Sequence, residues 1–173
     1  MGGGIDRCML KESGSCFRLE IQLAKASDKS RSTKVEALMD TALLSGCRIL
    51  LAEDNKVNRL LINKYLNDQP LELVEAVNGR EAVTLCQTHA PDIVLMDMSM
   101  PELDGIAATR EIRALNIEQP TIVALTANAF ESDRQACLAA GMDHFLSKPI
   151  NKSHLIDTLA TLQAERRLGL NQP

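Results

Sequence analysis

The sequence predicts an α/β fold in which helices cover both faces of a doubly wound, five-stranded parallel sheet, with a short β appendage at the N-terminus. From Cys47 onward, short apolar runs bounded by turn residues alternate with amphipathic segments, which is typical of repeated strand–helix units. The runs begin at positions 48, 71, 92, 121 and 144. Each step is therefore long enough for one strand and one crossover helix.

Composition limits the function classes. With 173 residues, 45% of them hydrophobic, the chain can build one well-packed domain plus an appendage. A net charge of -4 gives no basic surface for nucleic acid, so direct binding to it is not expected. The five cysteines include no Cys-x-x-Cys pair, which argues against a zinc site or disulfide framework and favours a reducing cytoplasm. No apolar run is long enough to cross a membrane, so no membrane contact is expected of this chain.

The first elements lie before the repeated units. Residues 15–23 alternate apolar and polar side chains, which predicts a half-buried strand. Residues 25–34 are too polar to bury much surface and are interpreted as the start of a linker that extends to residue 46. Within it, residues 35–44 favour a short helix that ends at Ser45 and Gly46.

Five runs are assigned to the strands of the sheet. The first, third and fourth are apolar throughout, as strands covered on both faces should be, whereas the second alternates and suits an edge. In order, the runs are Arg48–Ala52, Leu71–Ala76, Asp92–Met96, Thr121–Leu125 and His144–Leu146.

Helices are expected between the strands, each with an apolar stripe facing the sheet. The first helix is assigned the stripe Val57, Leu60, Leu61 and Tyr65. The last helix is assigned the stripe Leu155, Leu159 and Leu162.

Polar side chains follow the strands at their carboxyl ends, where ligands bind to parallel sheets. Glu53 and Asp54 follow the first strand, Asp97 ends the third, Thr126 ends the fourth, and Lys148 follows the fifth closely. Three carboxylates, a hydroxyl and an ammonium are therefore expected at one rim of the sheet.

This combination suggests phosphoryl chemistry. Two unit charges about 4 Å apart repel by roughly 4 kcal/mol at an effective dielectric near 20, so clustered carboxylates need a counter-charge. Mg²⁺ and the ammonium of Lys148 can supply it. Asp97 is then the candidate nucleophile that forms an aspartyl phosphate, and Thr126 the candidate donor to a phosphoryl oxygen.

Four segments resemble the signature blocks of two-component response-regulator receiver domains, in the order and spacing of that family. The resemblance covers about 120 of the 173 residues and implies a flavodoxin-like (βα)5 fold with strand order 2-1-3-4-5. The segments are Leu51–Asn55, Val94–Gly105, Ala124–Ala127 and Gly141–Pro149.

The resemblance also implies a metal site and a phosphorylation site. Asp97 would be the phosphorylated residue, and Asp54, Asp97 and the backbone carbonyl of Ser99 would bind Mg²⁺ or Mn²⁺. Glu53 would assist through water. Because most family members have Asp at this position, the longer side chain of Glu53 leaves direct ligation open.

A switch is implied as well. By resemblance, Thr126 and Lys148 sense the phosphoryl group, and the Phe145 ring turns inward when Thr126 moves. The same resemblance implies a cis bond between Lys148 and Pro149.

The N-terminus resembles a different family. Residues 1–24 are similar to the last two strands of a histidine-kinase ATP-binding domain, which makes 25–46 the linker, 47–166 the receiver domain and 167–173 a tail. This order implies a fragment of a hybrid sensor histidine kinase. The chain contains no nucleotide-binding boxes, so we expect no enzyme activity beyond Mg²⁺-dependent self-phosphorylation and autodephosphorylation.

The leading hypothesis is phosphorelay signalling, with a phosphohistidine donor such as a kinase core or a histidine phosphotransfer protein. A phosphohydrolase of the aspartyl-phosphate type would place a second Asp two residues after the nucleophile, where this chain has Ser99. A second alternative is an interaction module that does not depend on phosphorylation, which would show a damaged acidic site. His89, His144 and His154 have no metal-ligand spacing and are assigned to the surface or to packing.

Overall fold

A computed structural model of the chain describes residues 5–9, 15–19, 43–127 and 131–169. The chain divides into two compact units, residues 1–35 and 36–173. In the first unit, β1 (Ile5–Met9) and β2 (Ser15–Leu19) form an antiparallel two-stranded sheet. The predicted β appendage is therefore confirmed. The expected continuation of its strand to residue 23, and most of the expected linker, lie outside the described residues.

The second unit contains a five-stranded parallel sheet in the order β4-β3-β5-β6-β7, which confirms the order 2-1-3-4-5 within this unit. The strand starts agree with the predicted runs to within one residue. The elements are β3 (Arg48–Ala52), α1 (Lys56–Leu66), β4 (Glu72–Ala76), α2 (Gly79–His89), β5 (Ile93–Asp97), α3 (Gly105–Arg113), β6 (Thr121–Thr126), α4 (Glu131–Ala140), β7 (His144–Ser147) and α5 (Lys152–Arg167).

Helices cover both faces of this sheet and create two apolar layers. One layer joins alternate strand residues to α2, α3 and α4, through side chains such as Cys86, Ile112 and Cys137. The other joins the remaining strand residues to α1 and α5. Strands β5 and β6 are buried along their whole length, as their apolar runs predict, whereas β4 is partly exposed at its predicted edge. Each fully buried Leu or Ile contributes about 1.5–3 kcal/mol to folding.

The predicted stripe of α5 is confirmed, but that of α1 is wrong for three of its four residues, since only Tyr65 packs against the core. Val57, Leu60 and Leu61 are 72%, 58% and 38% exposed, and Ile62 and Leu66 are the buried residues. The helix carries apolar side chains on two faces, and only one face can pack on the sheet. Residues four positions apart share a face, so Ile62 and Leu66 pack together on the sheet while Val57 and Leu61 lie toward solvent.

Three cysteines of the described part of the chain, Cys47, Cys86 and Cys137, are buried and are not part of a disulfide. Burial raises the pKa of the Cys47 and Cys86 thiols to about 12, so both are neutral at physiological pH and act as small apolar side chains. Among the described helices, none combines the length and apolar character needed to cross a membrane.

Candidate functional site

The sheet brings the predicted site residues to one rim. Parallel pairing aligns Ala52 with Met96 and Asp97 with Leu125, so β3, β5 and β6 end at nearly the same level. Asp97 is therefore the last residue of β5 and Thr126 the last of β6, and both are buried. Glu53, directly after β3, is fully buried, whereas Asp54 is exposed.

Lys148 lies between two buried carboxylates. Its Nζ is 2.7 Å from Oε2 of Glu53 and 2.9 Å from Oδ1 of Asp97. Carboxylate oxygens of Glu53, Asp54 and Asp97 lie within 4.8 Å of one another. One ammonium thus contacts two of the three carboxylates, and the cluster keeps a net negative charge that suits a divalent cation.

Burial determines the titration of the central carboxyl. It raises the pKa of Asp97 above its ordinary value, the carboxylate of Glu53 adds to the rise, and the hydrogen bond from Lys148 opposes it. Burial alone would lower the pKa of Lys148, but its hydrogen bonds to Asp97 and Glu53 prevail and raise it. The ammonium is therefore fully charged at neutral pH.

Both carboxylate oxygens of Glu53 accept hydrogen bonds. Oε2 accepts from Lys148, and Oε1 accepts from Asn58 Nδ2 at 3.0 Å and from the backbone amide of Asn55 at 3.3 Å. Asn55 is also the N-cap of α1, since its side chain accepts from Val57 and Asn58 amides. Sequence reasoning missed Asn58, although its position at the first turn of a helix that starts beside the acidic pair was a usable signal.

A cleft of about 390 Å³ opens beside Asp97. The backbone amide of Ser99 lies 3.4 Å from Oδ1 of Asp97 and orients that carboxylate. The cleft is lined by Asp97, Ser99, Thr126 and Lys148, with Ile106 and Ala136 on its apolar side. The space is therefore adjacent to the candidate nucleophile Asp97 and to Thr126 and Lys148, the two candidates to donate hydrogen bonds to a phosphoryl group.

Gly105 allows α3 to start against the end of β5. A Cβ at this position would lie 2.3 Å from the backbone oxygen of Asp97, so no other residue fits without a backbone shift. Asp104 caps the helix by accepting from the Ala107 amide at 2.7 Å. The Asp-Gly pair looks like an ordinary turn in the sequence, whereas the structure gives it a close-packing role behind Asp97.

Phe145 lies on β7, outside the described residues that line the cleft. Its side chain is 38% exposed, and the guanidinium of Arg134 stands 4.6 Å from the ring centroid. The implied switch role of Phe145 stays a prediction. The implied cis bond between Lys148 and Pro149 is present.

A doubly wound parallel sheet with carboxylates, a threonine and a lysine at its carboxyl rim defines a phosphoacceptor receiver module. The family profile described as response regulator receiver domain matches residues 49–160, which is more than half of the chain. The chain therefore belongs to the response regulator receiver domain family and is a receiver domain of a two-component phosphorelay. The matched region is a signalling domain.

Several of its curated relatives are hybrid or sensor kinases. The chain is 45% identical over 121 residues to hybrid signal transduction histidine kinase B of Dictyostelium discoideum, covering 63% of this chain and 6% of that protein. It is 34% identical over 152 residues to the autoinducer 2 sensor kinase/phosphatase LuxQ of Vibrio vulnificus, covering 87% of this chain and 18% of that protein. The chain thus spans a small part of the length of these relatives.

Solved structures agree with the fold. The receiver domain of the sensor histidine kinase PA1611 from Pseudomonas aeruginosa has 40% sequence identity and a TM-score of 0.65, covers 69% of this chain and 99% of its own, and carries a magnesium ion in its active-site cleft. The Ssk1 receiver domain from Saccharomyces cerevisiae, in complex with the histidine phosphotransfer protein Ypd1, has 26% identity and a TM-score of 0.66, with 71% and 92% coverage.

Proposed function

We propose that Asp97 accepts a phosphoryl group from a phosphohistidine partner, with Mg²⁺ or Mn²⁺ bound beside it. The observation that supports this assignment is the position of Lys148, whose Nζ lies 2.9 Å from Asp97 within a cluster of three carboxylates. The acidic site is complete in this chain, which argues against the alternative of an interaction module that works without phosphorylation.

The residues present fit a small divalent cation. Carboxylate oxygens within 4.8 Å of one another are hard ligands of the kind that Mg²⁺ prefers. Asp54, Asp97 and the Ser99 carbonyl would hold the ion, with Glu53 assisting through water or directly. When bound, the cation neutralises negative charge on the transferring phosphoryl group.

The protein residues act mainly by positioning and charge. A carboxylate oxygen of Asp97 attacks phosphorus in line with the P–N bond of the donor, that bond breaks, and the electron pair leaves on the imidazole nitrogen. Lys148 turns from the carboxylate of Asp97 to a phosphoryl oxygen, and Thr126 donates to another. Movement of Thr126 toward the phosphoryl group would open space for the exposed ring of Phe145, which is the proposed switch.

The test is phosphorylation of the full chain. Incubation with Mg²⁺ and either acetyl phosphate or a phosphorylated histidine phosphotransfer protein should add one phosphoryl group that is stable in acid and lost in base. Intact-mass spectrometry and peptide mapping would place the group on Asp97. If no mass is gained, and beryllium fluoride with Mg²⁺ shifts no NMR resonances around Asp97, the proposal is wrong.

The exposed apolar face of α1 is the surface that we propose the phosphohistidine donor contacts. Val57, Leu60 and Leu61 lie toward solvent on the helix that begins two residues after Asp54. A donor must bring its imidazole to Asp97, so a surface next to the rim is suitably placed. The complex of the Ssk1 receiver with Ypd1 shows that a relative pairs with such a donor.

The variant Leu60→Glu tests this surface. It places a charge in the apolar contact, so we expect the transfer rate from the phosphohistidine protein to fall about 10-fold, the loss expected from a central interface residue. Phosphorylation by acetyl phosphate should stay unchanged because that small donor needs no docking. Leu168→Glu, at a residue 73% exposed beyond the end of α5, is the matched control. Equal loss with both donors would contradict the docking role.

We also propose that the chain derives from a hybrid histidine kinase, with residues 1–24 from its ATP-binding domain, 25–46 as linker, 47–166 as receiver and 167–173 as tail. The antiparallel pairing of β1 and β2 supports this origin. The 152-residue alignment with LuxQ, which extends beyond the 49–160 receiver match, supports it as well.

A further inference from the structure

Arg59 connects α1 to the acidic loop that follows β3. Its side chain is only 15% exposed. Nη1 donates to the backbone oxygen of Glu53 at 2.7 Å and to that of Asp54 at 2.8 Å. One guanidinium nitrogen thus binds the backbone carbonyls of two consecutive residues, Glu53 and Asp54. These residues supply two of the three clustered carboxylates.

Glu75 on the edge strand β4 fixes the guanidinium in turn. Its Oε2 lies 3.2 Å from Nε of Arg59, and its Oε1 accepts from Asn63 Nδ2 at 2.7 Å. Both carboxylate oxygens therefore have partners on α1. Because a guanidinium is planar, binding at Nε and at Nη1 together sets its orientation as well as its position.

The loop has few other restraints. The amide of Glu53 makes the last backbone bond to the neighbouring strand, with the oxygen of Ala76 at 3.1 Å, and α1 begins at Lys56. The side chain of Glu53 is held by Lys148 and Asn58, but Asp54 is exposed. The position from which the Asp54 side chain extends therefore depends on its backbone, which Arg59 holds.

We propose that Arg59 is a positioning residue that sets the geometry of the Glu53–Asp54 pair for divalent-cation binding, with Glu75 as its anchor. This inference rests on the proposed function of the acidic site. Mg²⁺ demands near-ideal octahedral geometry, and groups that orient its ligands affect affinity strongly. The positive charge of Arg59 opposes cation binding, but the carboxylate of Glu75 offsets that charge.

Magnesium titration of the full chain tests the role, with the amide resonances near Asp54 and Asp97 followed by NMR. Arg59→Gln should weaken Mg²⁺ binding about 10-fold, the lower end of the loss seen when ligand-orienting groups are removed. Arg59→Lys keeps a donor for one carbonyl and should recover part of the affinity. Glu75→Gln should weaken binding by about two- to fivefold, as expected for loss of a partly exposed ion pair.

Arg80→Gln is the matched control. Arg80 also pairs with a glutamate on another helix, Glu111 at 2.8 Å, but both side chains are exposed and far in sequence from the acidic loop. The Mg²⁺ affinity of Arg80→Gln should equal that of the wild type. Thermal unfolding without Mg²⁺ separates a general loss of stability from a loss of cation affinity.

The outcomes are distinct. Equal or tighter Mg²⁺ binding by folded Arg59→Gln would overturn the positioning role, whatever its thermal stability. A Mg²⁺ affinity that increases in the order Arg59→Gln, Arg59→Lys, wild type, with Glu75→Gln between Arg59→Gln and wild type, supports it. If the wild type itself shows no Mg²⁺-dependent shifts, the proposed function of the site fails and the positioning role fails with it.

Discussion

Asp97→Asn is expected to abolish phosphoryl acceptance. The amide that replaces the carboxylate is a poor nucleophile, and its oxygen no longer carries the charge that helps to hold a cation, so acceptance from any donor should fall by at least about 100-fold. Mass spectrometry after incubation with Mg²⁺ and acetyl phosphate measures this directly. A phosphoryl group that still appears on the variant, at the wild-type rate, would show that Asp97 is not the acceptor.

The same substitution should stabilise the fold at neutral pH. Asp97 is 6% exposed, and burial raises its pKa in the folded state above the unfolded value. A raised pKa means that the carboxyl contributes favourably below its unfolded pKa, and that this contribution is lost as pH rises through the folded pKa. At pH 7 the charged carboxylate of Asp97 therefore destabilises the folded state. Asparagine removes it while Lys148 keeps its contact with Glu53.

We expect a gain in the free energy of unfolding on the order of 1 kcal/mol at pH 7, typical of a single stabilising substitution. The gain should vanish at about pH 4 and below, near the ordinary pKa of Asp, where the wild-type carboxyl is protonated. Denaturant unfolding at both pH values measures the difference. Asp68→Asn, at a side chain 73% exposed, is the control and should change little at either pH. A destabilised Asp97→Asn at pH 7 would contradict this view of the site.

Lys148→Met is expected to damage both activity and stability. The ammonium contacts Glu53 at 2.7 Å and Asp97 at 2.9 Å, and it is the direct counter-charge that the described residues offer to these carboxylates. Without it, phosphoryl acceptance should fall about 100-fold, comparable with the loss of one preorganised donor to a developing charge. The phosphoryl acceptance that remains in Lys148→Met measures how much of the negative charge the divalent cation neutralises without Lys148.

The loss of stability follows from leaving two buried carboxylates without that partner. Removing one member of a buried ion pair costs about 3 kcal/mol or more. The pKa of Lys148 is raised on folding, so its contribution is present below the unfolded pKa and is lost only as pH rises through the higher folded pKa. The wild type should therefore keep this contribution unchanged across the neutral range.

Lys152→Met is the matched control for Lys148→Met. Lys152 is 46% exposed and lies 3.6 Å from the exposed Asp68, so its removal should change the free energy of unfolding by less than about 0.5 kcal/mol. Chemical denaturation of both variants, with and without Mg²⁺, makes the comparison. Similar small losses for the two lysines would contradict the central role of Lys148.

The sequence by itself determined the fold class and predicted which charged side chains meet at the carboxyl rim of the sheet. Strand positions follow from local apolar runs, and residues at the carboxyl ends of parallel strands meet whatever their separation in the chain. This is why Glu53, Asp97 and Lys148 were predicted together although 95 positions separate the first from the last. The strand order came from the family resemblance, because periodicity does not say which strands are neighbours.

Only the tertiary structure decided which of two apolar faces α1 buries, that Lys148 is shared between Glu53 and Asp97, and that Arg59 holds the acidic loop. Sequence patterns tell which side chains prefer burial or water. They do not tell the rotation of a helix on its sheet or the partner of a long side chain, because these depend on contacts between segments that are distant in the chain.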